Sequence, residues 1–171
     1  RRLRDVDYYR DDPLVQRLLG LRRLPDVATI SRTLKSMDHT SVQGVRQVSR
    51  DLVTDGLQRE QFARLTLDFD GSVVATQGHA EGSSVGFNPK KKGARSYYPL
   101  FCTVAQAGQF LDMHHRPGNM HDSNGAHDFM IDCLEHIRST CPHAVLESRM
   151  DCAFFDQKTL NLMDLYGVEC T

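Results

Sequence analysis

The stretch LTLDFDGSVVAT, Leu65–Thr76, decides how this chain is read. Leu65, Leu67 and Phe69 alternate with Thr66, Asp68 and Asp70, the period of a β-strand with one apolar face and one face carrying two carboxylates. Past Asp70-Gly71 the run resumes as Ser72-Val73-Val74-Ala75-Thr76, which reads as the same strand continued. Like charges two positions apart on one face repel, so that face is either in water or beside something positive.

The rest of the chain sets the bounds on that strand. Its 171 residues suffice for one domain with a substantial core, or a core domain with an appendage. With 40% hydrophobic and 25% charged residues the composition is that of an ordinary globular protein. No apolar run reaches the roughly 20 residues of a membrane span, no signal peptide opens the chain, and a cytoplasmic protein is expected. The abrupt start RRLRDVDYY and the ending GVECT, which reads as mid-strand, suggest a piece of a longer protein. Five cysteines, with no Cys-x-x-Cys pair, suggest buried free thiols in a reducing compartment rather than a disulfide or zinc framework.

Charge is unevenly distributed. Residues 1–64 hold thirteen Lys/Arg against nine Asp/Glu, and residues 65–171 hold eight against thirteen. Inside the acidic part lies one basic island, Lys90, Lys91, Lys92 and Arg95, with no acid between Val85 and Tyr98. Such a balance suits a protein that gathers cations at one point and a polyanion around it, and equally suits plain solvated surface.

Residues 1–63 read as helical. Asp12 caps a helix with Pro13 at its first position, Asp26 caps a second, and a longer amphipathic helix follows, interrupted or bent near Gly56. This region is either a DNA-contacting arm or a packed helical subdomain. From residue 64 the pattern changes to strands. GHAEGSSVGFNPKKKGA is a long loop without periodicity; two strands flank Gln106-Ala107-Gly108; a helix runs from about Gly125 to Thr140, capped by Asp122 or Ser123. A strand then ends at Asp151, a helix closes at Gly167, and VECT begins a fifth strand. The order β-β-β-α-β-α-β predicts an α/β fold, a mixed five-stranded sheet with helices. It is the plan of the RNase H-like fold, in which the first and fourth strands lie parallel side by side and bring Asp70 near Asp151.

Four longer words, LTLDFDGSV, NPKKKGARSYYPL, HRPGNMHDSNGA and RMDCAFF, together resemble the DDE transposases of bacterial insertion sequences, whose catalytic domain is RNase H-like. The resemblance runs from about Asp11 to the end of the chain. It implies a catalytic domain over residues 64–171 and places the first two catalytic acids on Asp70 and Asp151, with Arg149 and Phe154 flanking the second. The third acid of that family, a Glu on a helix beyond the fifth strand, is absent from this chain; Glu169 does not match its motif. A piece without it is expected to be inactive by itself. The resemblance further implies two Mg²⁺ or Mn²⁺ ions, with Asp70 bridging both and Asp151 binding one. The partners it implies are double-stranded DNA, as element ends and target, and a second copy in the DNA complex. The expected reaction is cleavage of DNA ends and strand transfer; the alternatives are an inactive DNA-binding remnant and a metal-dependent nuclease of the same fold.

Each residue also has a plainer reading. Asp68 either orients Asp70 or is itself a direct or water-mediated metal ligand. Asp70 could mark an Asp-Gly turn, and Asp151 could cap a helix at a strand end. Lys90, Lys91, Lys92 and Arg95, with Arg149 as a further candidate, could contact DNA phosphates, and Tyr97 or Tyr98 a base; otherwise the island is a solvated loop leading into a buried strand. His114, His115, His121 and His127 match no common zinc spacing; the resemblance instead implies a turn there, with Asn119 and Asp122 holding its shape or lying near the active-site edge.

Overall fold

The computed structural model describes every residue except Arg1, Gln77, Phe87, Pro89, Lys90, Asp122 and Ser123. Five strands form the main sheet: β1 (Arg64–Gly71), β5 (Leu100–Val104), β6 (Gln109–His114), β7 (Val145–Met150) and β8 (Glu169–Cys170). Their order across the sheet is β6-β5-β1-β7-β8. β5 runs antiparallel to β1 and β6, whereas β1, β7 and β8 are parallel neighbours. This is the expected mixed sheet of an RNase H-like fold, with the first and fourth of its strands adjacent at the centre.

The alternation in Leu65–Asp70 explains which face packs. Leu65, Leu67 and Phe69 are buried together with Phe129, Met130, Cys133, Leu134 and Ile137 of α4 (Ala126–Thr140). The Phe69 ring meets that of Phe129 edge-on, with centroids 6.1 Å apart. Burying each of these large apolar side chains contributes roughly 1.5–3 kcal/mol. The apolar stripe of α4 is the one expected from its helical spacing, and α4 begins at Gly125, whose left-handed φ of 70° supplies the turn. Asp122 and Ser123, the expected caps, lie outside the described residues. α5 (Gln157–Leu165) adds Leu162 and Met163 to the core, capped by Asp156 at the backbone N–H of Thr159.

Two expectations need correction. The main strand ends at Gly71, and Val74–Ala75 (β2) belongs to a separate sheet with β3 (Ser84–Val85) and β4 (Arg95–Tyr97), in the order β2-β4-β3. The supposed structureless loop therefore contributes a strand of its own. Contact between this small sheet and the turn after β6 is very close. A Cβ on Gly86 would come within 1.7 Å of the Gly118 carbonyl oxygen, and Gly118 donates its N–H to Ser96 at 2.9 Å. Any larger residue at Gly86 would force the two apart. The second correction concerns α3 (His39–Glu60), which continues through Gly56 without interruption.

The chain divides into two compact units, Arg1–Val45 and Arg46–Thr171. The first unit holds a 3-10 turn (Leu3–Tyr9), α1 (Pro13–Leu18), α2 (Val27–Ser36) and the start of α3. Asp12 and Asp26 accept backbone N–H bonds from Leu14 and Thr29, as their positions predict. In the second unit Val53 and Leu57 of α3 join the core. Among the described residues no helix is long and apolar enough to cross a membrane.

Candidate active site

The parallel pairing of β1 with β7 sets the site. Its register runs Thr66 opposite Glu147, Asp68 opposite Arg149 and Phe69 opposite Met150. The next residue on each chain is Asp70 and Asp151, so the two acids predicted from sequence stand at the same level, where adjacent parallel strands ~4.8 Å apart finish. Both are exposed. Asp70 faces Phe101 of β5 on its other side. Asp151 turns out of β7 into a short 3-10 turn (Cys152–Phe154), and its Oδ1 accepts the N–H of Ala153 at 2.9 Å. It is therefore a strand-end cap. Phe154 is buried in the core beneath it.

One step back on the same face the electrostatic puzzle is resolved. Arg149 donates Nε–H and Nη2–H to the two carboxylate oxygens of Asp68, at 2.6 Å each. This bidentate fork neutralises Asp68 within the fold, and the carboxylate hydrogen bond raises the pKa of Arg149. Further along, the face is a polar ladder: Gln106 donates to Thr66, Thr66 to Glu147, and Arg64 pairs with Glu169. The two β1 acids thus differ. Asp68 sits in an ion pair, and Asp70 lies beyond it at the strand end.

A second group of charges was not anticipated from sequence. Arg46 and Arg50 of α3 converge on Asp112 of β6 and Asp132 of α4. Arg46 Nε lies 2.7 Å from Asp112 Oδ1, and Arg50 Nη2 lies 2.7 Å from Asp132 Oδ2. Asp112 is almost fully buried. Burial pushes its carboxyl up, but the Arg46 hydrogen bonds, the Met113 N–H and the charges of both arginines outweigh that and hold it below the usual carboxylate value. The same two guanidiniums, acting against burial, lower Asp132. This cluster fixes α3 to the sheet and to α4. His136 on α4 shares a 2.8 Å hydrogen bond with Thr54 of α3, and burial lowers its pKa.

The basic island is divided in its roles. Lys91 and Lys92 are exposed near the tip of the loop before β4, where Asn88 Oδ1 accepts the Lys91 N–H at 3.0 Å. Arg95 instead lies half-buried and donates to the Ser83 hydroxyl at 3.1 Å and to the Ser83 carbonyl. Lys90 lies outside the described residues. The Tyr97 hydroxyl donates to the Glu81 carbonyl, and its ring rests against His115 with centroids 4.5 Å apart. The turn before α4 is organised by Arg116, which is 1% exposed and donates to the carbonyls of Tyr98, His121 and Asn124. Asp122, expected to shape this turn, lies outside the described residues.

Asp70 and Asp151 are carboxylates one residue beyond paired positions of adjacent strands, the ligand type that Mg²⁺ and Mn²⁺ prefer. Among the described residues no group of three His, Cys, Asp or Glu side chains comes together as a metal site.

An RNase H-like sheet with acids ending its first and fourth strands defines the class of domain. A family model described as "Transposase DDE domain group 1" matches residues 1–170, and the chain belongs to that family of DDE transposases. Comparison with curated proteins finds no match. Solved structures similar in fold include the catalytic domain of Mos1 mariner transposase, at 10% identity and a TM-score of 0.44, covering 79% of this chain and 61% of that one. A Mos1 transposase paired-end complex with left transposon end aligns at 9% identity and a TM-score of 0.47, covering 98% and 55%. A piggyBac transposase synaptic complex with hairpin DNA aligns at 13% identity and a TM-score of 0.46, covering 78% and 30%. The chain thus spans less than two thirds of each. Likenesses this distant say nothing of activity, substrate or partners.

Proposed function

We propose that this chain supplies two of the three acids of a DNA transposase that cuts the ends of an insertion sequence and joins them to a target. The observation that carries the reading is the placement of Asp70 and Asp151 at one level on adjacent parallel strands, within a chain of the DDE transposase family. Asp70 and Asp151 would hold Mg²⁺ or Mn²⁺, two ions in the complete site. Such ions supply an activated attacking oxygen and stabilise the leaving oxygen in displacement at phosphorus. The third ligand, a Glu, would come from outside this chain, so the chain alone is inactive.

The remaining parts follow from charge and position. Arg149 holds Asp68 and so keeps a second negative charge from repelling the metal ligand Asp70; a water-mediated contact from Asp68 is the lesser role. Lys91 and Lys92, with Lys90 beside them in sequence, would meet DNA phosphates. Arg95 supports that loop from within, leaving it a smaller share of any phosphate contact. A second copy would join in the DNA complex, in a bacterial cytoplasm. A chain carrying the third acid, incubated with element-end DNA and Mg²⁺, tests this reading. Asp70→Asn and Asp151→Asn should each abolish cleavage and leave DNA binding within about twofold. Cleavage at the unaltered rate by either variant would remove the assignment.

A further inference from the structure

Residues 13–37 carry five cations, Arg17, Arg22, Arg23, Arg32 and Lys35, against a single acid, Asp26. That acid is used locally: its carboxylate accepts the Thr29 N–H at 2.7 Å and caps α2. All five cations are exposed. Among the described residues none of them pairs with a carboxylate, and Arg32 donates only within its own helix, to the Thr29 hydroxyl at 3.1 Å. Arginines of the second unit are used otherwise: Arg46 and Arg50 meet carboxylates, and Arg116 and Arg138 donate to carbonyls. α2 is also two-sided. It packs against the 3-10 turn Leu3–Tyr9, with Val27 and Ile30 half-buried, while Arg32, Lys35 and Ser36 are exposed. A helix turns about 100° per residue, so Arg32 and Ser36 lie opposite Val27 and Ile30, with Lys35 beside them.

We infer that this face of α2, with Arg22 and Arg23 just before it, binds the phosphate backbone of a DNA duplex irrespective of its sequence, in addition to Lys91 and Lys92. The inference rests on the DNA reading above. Uncompensated cations gathered on one face repel one another, and a polyanion turns that repulsion into attraction by releasing its counterions. At about 1.5 Å per residue α2 is roughly 15 Å long, enough to cross a major groove about 12 Å wide and reach phosphates on both strands. Its exposed polar side chains, Arg32, Thr33, Lys35 and Ser36, are cations and hydroxyls, which serve phosphate oxygens. No Asn or Gln stands on α2 to read adenine. The face therefore holds a duplex without choosing one.

The test follows fluorescence anisotropy of two labelled duplexes of unrelated sequence as the chain is added, over a range of salt. The slope of log binding constant against log salt should shrink by about 2 when Arg32→Gln is combined with Lys35→Gln. Arg22→Gln with Arg23→Gln should shrink it by about 2 as well, and each pair should weaken binding about tenfold at low salt on both duplexes. Glutamine keeps a helix propensity close to that of Arg and Lys. The exchange of Arg32→Lys with Lys35→Arg conserves charge and should keep the unaltered slope; a smaller slope there overturns the charge-based contact. Arg59→Gln, at an exposed arginine of α3, should leave the slope unchanged. A decrease of about 1 in that variant would reflect overall charge and overturn the surface assigned to α2. An unchanged slope in either double glutamine variant, or a change confined to one of the two sequences, overturns the inference and leaves the DNA reading in place. Absence of binding to both duplexes by the unaltered chain overturns the DNA reading itself.

Discussion

Two groups of carboxylates differ in their surroundings. Asp112 and Asp132 meet Arg46 and Arg50, and the four charges neutralise one another in a largely buried cluster. Asp70 and Asp151 stand exposed where their strands end, the second with one oxygen on a backbone N–H. The difference in burial separates an ion-paired cluster behind the sheet from two acids at the strand ends. Asp68 lies between the two cases: it shares a face with Asp70, yet Arg149 answers its charge within the fold.

The comparison can be broken at its functional end first. Replacing either exposed acid by Asn should reduce Mg²⁺-dependent cleavage by orders of magnitude in a chain carrying the third acid, and Asp151→Asn should do so with no change in melting temperature, since Asn still caps the turn at Ala153. At the structural end the effects reverse. Asp112→Ala leaves the buried Arg50 and the half-buried Arg46 facing Asp132 alone, and should lower stability by about 3 kcal/mol in chemical denaturation. A loss below 1 kcal/mol would show that the cluster does not hold α3 to the sheet.

Acid titration sharpens the same contrast. The folded pKa values of Asp112 and Asp132 lie below the unfolded value of 3.8. Their contribution is therefore fully present above that pH and is lost as pH falls through the lower folded values. Stability measured down to pH 2 should drop there, and Asp112→Asn should flatten that drop. The smallest effect belongs to the loop. Changing Lys91 and Lys92 to Ala should reduce the slope of log binding constant against log salt by about 2; an unchanged slope would make both bystanders.

Much of this layout was legible in the sequence where a pattern repeats over a whole element. The alternation in Leu65–Asp70, the stripe Phe129, Met130, Cys133, Leu134, Ile137 and the caps Asp12 and Asp26 each report a local periodicity or a local hydrogen bond, and each appears in the structure. The strands β2 and β3 escaped because two residues carry no period, so Val74–Ala75 was joined to the strand before it. The charge cluster escaped because its partners lie 62–86 residues apart. The Asp68–Arg149 pair was within reach. Once the first and fourth strands are taken as parallel with Asp70 beside Asp151, counting back two residues on each sets Asp68 beside Arg149.

The central claim is that Asp70 and Asp151 bind a divalent ion together. Mn²⁺ titration of the chain, followed by electron paramagnetic resonance, tests it without DNA or turnover. Bound Mn²⁺ that is lost in both Asp70→Asn and Asp151→Asn, and retained in Asp132→Asn, is the predicted result. Retention of the unaltered affinity by either of the first two variants would contradict it.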